Sequence, residues 1–395
     1  MRRSPRPSLA SILGPTRRSP YTLHWTPPPL SLRKRNITSA DSRPEATGDV
    51  TPPLSHSCPR LPFRFDTGFA LYATRKPSPF PPPFLSPPSG SFSDPLSTHH
   101  QSRDKRVFVH GELIRGWTNG DDAVYASDNF ICANDGVGAW SARPRGHAGL
   151  WSRLILHFWV AAIEEDMARP RPSSSSYQPD PKRYLQIAYD RTVEATSGPN
   201  DCLGTTTAAG AQLFYKGDPT DPHSTVKPLL YVTNLGDSQV MVVRSKSRKI
   251  VYKSKEQWHW FDCPRQLGTN SPDTPNQNAT IDTVDIDEGD IVLAMSDGVT
   301  DNLWDHEIAE IVAKTVELWE AGKIGQASGS RAHGAGGGMP YVAQELMNKA
   351  KEIATDPFAE SPFMERAIEE GLASTGGKPD DISVVAALCR RNMPS

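Results

Sequence analysis

The chain has 395 residues and a formal net charge of −2 at pH 7, with a mean hydropathy of −0.51. These values, with no apolar run of about 18 residues, exclude a helical membrane bundle, a collagen and a coiled coil. Charge is unevenly distributed: residues 1 to 100 hold 13 Lys and Arg against 5 Asp and Glu, and the rest hold 30 against 40. The acidic body lacks the basic excess that nucleic-acid phosphates require, so no nucleic-acid partner is expected.

Residues 1 to 60 form a basic leader rich in Pro, Ser and Arg, predicted to be disordered. Its first 40 residues carry seven Arg and one Lys without an acid, and 20 of the 37 prolines lie in the first 100 residues. That is the composition of an organelle transit peptide, predicting a mitochondrial address, with the matrix as destination. The alternative is a nonspecific basic tail on a cytosolic protein, because Pro5, Pro7, Pro15 and Pro20 leave only Ser8 to Leu13 free to be helical. Five cysteines, odd in number and without a CxxC pair, predict reduced thiols and no zinc site.

The folded domain is predicted over 61 to 392, as one unit and as a monomer, starting with a strand across Phe65 to Ala73. Short runs rich in β-branched residues follow: VYASDNFICAN, LLYVTN, QVMVVR, KIVYK, DIVLAMS and DISVVAAL, read as buried strands of a largely antiparallel sheet. Leu150, Trp151, Leu154, Ile155, Phe158, Trp159 and Ala162 fall on one stripe of a helix. Asp305 is placed as the cap of a second helix reaching Trp319, and Pro340 as the first residue of a third. Loop insertions are expected near 77–100, 169–181, 216–228 and 322–338. Helices and strands without strict alternation predict an α+β layered domain.

Acidic residues recur at strand ends beside glycine or a second Asp. Asp121 and Asp122 open one strand, Asp135-Gly136 closes FICAN, and Gly236-Asp237 closes LLYVTNL. Asp297-Gly298 closes IVLAMS, and Asp380-Asp381 opens ISVVAAL. A lone Asp-Gly is usually a hairpin turn, but five such sites in one domain point to a shared cleft. Converging carboxylates without Lys or Arg beside them call for protonation or a bound cation. An all-oxygen donor set favours Mg2+ or Mn2+ over zinc, and two such ions suit phosphoryl hydrolysis.

The segments GDDA (120–123), NDGVGAW (134–140), LGTTTAA (203–209), NLGDSQ (234–239), SDGVTDNLWDHEI (296–308) and KPDDISVV (378–385) stand in the order of a known family. From about 65 to 390 the chain resembles the metal-dependent protein phosphatases of type 2C (PPM), above all the mitochondrial protein phosphatase 2C homolog 7 type. The resemblance implies a four-layer α/β/β/α sandwich of two antiparallel sheets flanked by helices. It implies hydrolysis of phosphoserine and phosphothreonine on protein substrates, by in-line attack of a water between two Mg2+ or Mn2+ ions. Asp135 would bridge the two metals, the Gly136 carbonyl would bind one of them, and Asp297 and Asp380 would complete the other. Asp121, where the family has Glu, would act through water, with Asp122 in the same network. Asp237 and Asp301 match positions that hold a third ion in some members, and Asp381 reads as structural.

Two departures stand out. Val137 replaces a His that serves as a candidate general acid, and Thr118 follows Trp117 where an Arg often holds the substrate phosphate. Arg115 is the substitute candidate for phosphate binding if the strand alternates regularly. These departures motivate an alternative, a catalytically silent module that binds phosphoproteins. A phosphatase of small phosphorylated metabolites would share the same site.

Overall fold

Alternation along single strands decides which layer each side chain enters. In the strand Gln239–Arg244, Val240 and Val242 belong to one apolar cluster and Met241 and Val243 to another. The computed structural model describes residues 61–84, 107–171, 177–198, 201–217, 225–324 and 337–392. The leader, and most of the four insertions expected from the sequence, lie outside the described residues.

Eleven strands build the two main sheets: β1 (Phe63–Tyr72), β2 (Trp117–Asn119), β3 (Asp122–Ala126), β4 (Phe130–Asn134), β5 (Ala208–Lys216) and β6 (Lys227–Leu235), then β7 (Gln239–Arg244), β8 (Lys249–Lys253), β9 (Thr280–Asp285), β10 (Ile291–Met295) and β11 (Ile382–Arg391). The five-stranded sheet runs β1-β11-β10-β7-β8 and the six-stranded sheet β9-β6-β5-β4-β3-β2. Every pairing within them is antiparallel.

Three apolar clusters define four layers. Phe65, Ile131, Ala211, Val232, Val242, Val292 and Val385 fill the space between the sheets. Helices α1 (Ala148–Ala168) and α2 (Pro181–Thr196) cover the six-stranded sheet through Leu154, Trp159, Tyr184 and Leu185. A short turn, α3 (Asp297–Thr300), leads to α4 (Asp305–Glu320); α4 and α5 (Met339–Ala354) cover the other sheet through Ile308, Val312, Val342 and Leu346. A last helix, α6 (Pro362–Glu369), follows. This is the α/β/β/α sandwich expected from the sequence.

Some elements differ from expectation. VYASDNFICAN is a hairpin, because Ser127 donates its N–H to the Phe130 carbonyl at 2.9 Å and closes a turn between β3 and β4. Asp305 is the first helical residue and not the cap. Trp304 precedes α4, and the Glu307 carboxylate accepts the Trp304 N–H at 3.1 Å. Pro340 is the second residue of α5. Helix α2 begins at Pro181, where the 169–181 insertion was placed, with Asp180 accepting the Arg183 N–H at 3.2 Å.

The register sets one end of the sandwich apart. Ala123 pairs with Asn134, Ala133 with Ala209, Gln239 with Met295, and Met295 with Val384. The start of β3, the end of β4, the β6–β7 turn, the end of β10 and the start of β11 therefore share an edge, and each carries one of the sequence's acidic pairs or Asp-Gly steps.

Candidate active site

Asp135 follows β4 and is held through its backbone. Its N–H donates to Thr207 Oγ1 at 3.0 Å, and its carbonyl accepts from the Thr207 N–H and from Thr206 Oγ1, both at 2.8 Å. The threonines of LGTTTAA thus fix the backbone of the central carboxylate, a role that sequence reasoning left unassigned. Gly136 is required because a Cβ there would stand 2.0 Å from the Asp121 carbonyl. Gly120, at φ +62°, has no room either: a Cβ would meet Asp381 Oδ2 at 1.9 Å.

Asp381 is the clamp between chain segments. Its Oδ1 accepts from the Thr74 N–H at 2.7 Å and Thr74 Oγ1 at 2.9 Å, and its Oδ2 accepts from the Asp121 N–H at 2.9 Å. Asp122 turns inward, with its Oδ2 accepting from Ser383 Oγ at 2.8 Å, and Asn119 donates to that same hydroxyl at 2.9 Å.

Asp122, Asp135, Asp297 and Asp380 act on one another electrostatically. Burial, followed by the charge of Asp297 and Asp122 and a hydrogen bond shared with Asp297, pushes Asp135 well above the usual carboxylate range. Burial and the charges of Asp381 and Asp380 do the same for Asp122. Burial and Asp297 raise Asp380 to about 7 against the pull of Lys378. Asp297 goes the other way: burial would raise it, but Lys378 and hydrogen bonds with Asp135, Lys378 and Asp301 bring it to about 2. Asp121 faces outward, raised by burial and Asp381 and opposed by Arg75 and His147. The inner member of the GDDA pair is therefore Asp122, and Asp121 stands at the rim.

Asp237 and Asp301 also reach this end of the sandwich. Burial and the charge of Asp297 hold Asp237 well above its ordinary value. Asp301 is raised to about 7 by burial, with Lys378 opposing.

The expectation that no Lys or Arg stands among these acids is overturned. Lys378 Nζ lies 2.7 Å from Asp297 Oδ2 and 2.7 Å from Asp301 Oδ2, with Asp380 Oδ2 at 3.8 Å. Arg366 Nη2 binds Asp301 Oδ1. Among the described residues, no three His, Cys, Asp or Glu side chains are closed around one point as an ion cage. The donors nevertheless fit a hard cation, being all oxygen. Asp297 Oδ1 and Asp237 Oδ1 are buried without a hydrogen-bond partner, which is costly unless another ligand satisfies them.

Arg115 is not part of this site. Gly116, at φ +81°, breaks the alternation before β2, and the Arg115 guanidinium pairs with Glu164 Oε2 at 2.8 Å. Thr118 accepts from Arg153 Nη1 at 2.8 Å and belongs to the packing beneath α1. The arginine that does reach the rim is Arg75, in the segment after β1. Its guanidinium bonds Asp121 Oδ2 at 3.3 Å and Ser141 Oγ at 3.0 Å. His259 bonds Asp273 Oδ2 at 2.7 Å. Of the nearby aromatics, Trp258 and Phe261 pack together and Phe261 meets Phe363, whereas Trp260 is 70% exposed.

Known proteins share this architecture. The solved structure of the photosystem II phosphatase PBCP superposes with a TM-score of 0.50 at 24% identity, over 68% of this chain and 91% of that one, which shows the fold. The protein phosphatase PTC7 homolog of Xenopus laevis is 32% identical over 295 residues, covering 70% of this chain and 84% of its own length. Probable protein phosphatase 2C 80 of Arabidopsis thaliana is 33% identical over 273 residues, 68% of this chain and 54% of its own length. The chain spans about half of that plant relative and 40% of the rice relatives named BIPP2C1. No protein-family profile matches. The chain belongs to the protein phosphatase 2C family.

Proposed function

We propose that the protein is a Mg2+- or Mn2+-dependent phosphatase of phosphoserine and phosphothreonine in proteins. The observation that carries the reading is the meeting of Asp122, Asp135, Asp297 and Asp380 at one end of the sandwich, with three of the four raised by burial and mutual charge. Asp135, the Gly136 carbonyl, Asp297 and Asp380 would hold two divalent ions, and Asp122 would support them. When bound, such ions supply Lewis-acid charge that activates water and stabilises an in-line displacement.

The chain's own residues do the rest. Thr206 and Thr207 hold the Asp135 backbone, and Asp381 fixes the Asp121 N–H and Thr74 on either side of the rim. Arg75, on the rim, carries a planar donor fork suited to two phosphate oxygens. Val137 offers no proton to a leaving alkoxide, so that proton comes from water or from another side chain that the fold brings to the site.

Purified full-length chain is expected to release phosphate from a phosphothreonine peptide with Mn2+ and to stop in EDTA. Arg75→Ala raises KM by about tenfold, the loss of one charge-assisted contact, and lowers kcat less. Peptide binding without turnover under every divalent ion would replace this reading with the silent binding module, and faster hydrolysis of small phosphate esters would redirect the substrate class.

The leader supports a mitochondrial destination by its arginine-rich, acid-free composition. A fluorescent protein carrying residues 1 to 60 that stays in the cytosol would refute it. Among the described residues no helix is long and apolar enough to cross a membrane.

A further inference from the structure

Asp301 is 4% exposed, and both of its carboxylate oxygens are taken by cations of this same chain. Arg366 Nη2 bonds Oδ1, and Lys378 Nζ bonds Oδ2 at 2.7 Å. The lysine also reaches Asp297 Oδ2 at 2.7 Å and Asp262 Oδ1 at 3.1 Å, on the 258–264 hairpin, but Asp297, unlike Asp301, keeps its Oδ1 without a partner and so open to the two-ion site. We infer that Lys378 and Arg366 are built-in counter-cations that stand where a third divalent ion would bind between Asp301 and Asp237, so that the chain takes two ions and no more. The inference rests on the two-ion reading above.

Neither cation is a loose side chain that has drifted onto an acid. The backbone of Lys378 is pinned from both sides by Asn302, whose Oδ1 accepts the Lys378 N–H at 2.9 Å and whose Nδ2 donates to the Lys378 carbonyl at 3.0 Å. Asn302 Nδ2 also donates to the Gly298 carbonyl at 2.9 Å, so the lysine is referenced to the turn that carries Asp297. The ammonium lies over the Phe363 ring, with Nζ 5.0 Å from its centroid, and the side chain is 17% exposed. Gly377, just before the lysine, lies tight against the end of α5, where a Cβ would meet the Ile353 carbonyl at 2.1 Å. Arg366 is fixed by Glu256 Oε2 at 3.0 Å and lies 5.2 Å from the centroid of the Trp258 ring.

A tethered ammonium competes with a free ion at high effective concentration. It also repels a second cation at the same carboxylate, an effect that burial strengthens. Asp237, which feels the charge of Asp301, keeps one unpartnered buried oxygen and is the ligand a third ion would gain once Lys378 is removed.

Native mass spectrometry of the full chain, titrated to saturation with Mn2+, counts the ions directly. Two per wild-type chain are expected, and Lys378→Arg keeps two. Lys378→Met takes three, and adding Asp301→Asn returns the count to two. In EDTA the Lys378→Met protein melts below wild type, and its gain in Tm on adding Mn2+ is the larger of the two. Three ions on the wild-type chain, or a folded Lys378→Met protein that stays at two, overturns the inference and leaves the two-ion phosphatase intact. A wild-type chain that binds fewer than two ions removes that reading as well. The wild-type count requires no variant, so it decides the matter even if Lys378→Met does not fold.

Discussion

Asp135→Asn is expected to lower phosphate release by about 10³-fold, equivalent to roughly 4 kcal/mol of transition-state stabilisation, while making the metal-free protein more stable. The two effects come from the same carboxylate. Folding brings Asp135 against Asp297, Asp122 and Asp380, and burial leaves its ionised form unfavourable. An amide removes the repulsion and can still donate a hydrogen bond to Asp297. Relief of about 1 kcal/mol would appear as a higher Tm in EDTA, together with a smaller response to Mn2+. A variant that loses activity because it melts early would show that Asp135 holds the fold and not the ions.

Stability without metal is expected to fall as pH rises from about 5.5 to 8. Asp301 and Asp380 are both raised to about 7, so the folded metal-free chain keeps protons that the unfolded chain releases near the ordinary carboxylate value. Their favourable contribution is complete at low pH and is lost as pH passes 7. Asp380 is 39% exposed and water damps its share, whereas Asp301 is 4% exposed. The combined loss is on the order of 3 kcal/mol. Asp297, lowered to about 2, acts only in acid, outside this window.

His157 opposes the trend. Burial and the nearby Arg115 charge lower it to about 4, so its contribution grows as pH rises through 6.5. That contribution is the same with and without ions. The difference between melting curves in EDTA and in Mn2+ therefore isolates the carboxylates, and it should widen with pH as ions displace protons from the same oxygens. A difference that is flat from pH 5.5 to 8 would contradict the coupling.

Strands and acids were legible in the sequence for different reasons. Val240 to Val243 and Ile291 to Met295 are buried on both faces and read as unbroken apolar runs. Asp135, Asp297 and Asp380 sit beside glycine or a second Asp at the ends of such runs, where the sequence itself marks a strand terminus. Helix α2 was hidden because Tyr184, Leu185, Ala188 and Thr192 form a thin stripe between polar residues, just after a serine-rich stretch. Arg366 and Lys378 were hidden for another reason. They meet Asp301 across 65 and 77 residues of chain, Arg366 from a helix with a single buried residue. Nothing local distinguishes Arg366 from an ordinary surface cation, and Arg75, 46 residues from Asp121, is the same case; Lys378 stands two residues before Asp380 in KPDDISVV, but its reach to Asp301 is set by the fold.

The pairing of β1 with β11 carries a consequence for biosynthesis. The opening strand finds its neighbour more than 300 residues later, and Asn392 Nδ2 closes the seam by donating to the Leu61 carbonyl at 2.6 Å, across 331 residues. Because β11 lies between β1 and β10, the ribosome must deliver it before the five-stranded sheet becomes continuous. Asp380 and Lys378 arrive on that same late stretch, so a nascent chain stalled before residue 378 would have neither, and the proposed phosphatase activity is expected only as translation of the domain finishes.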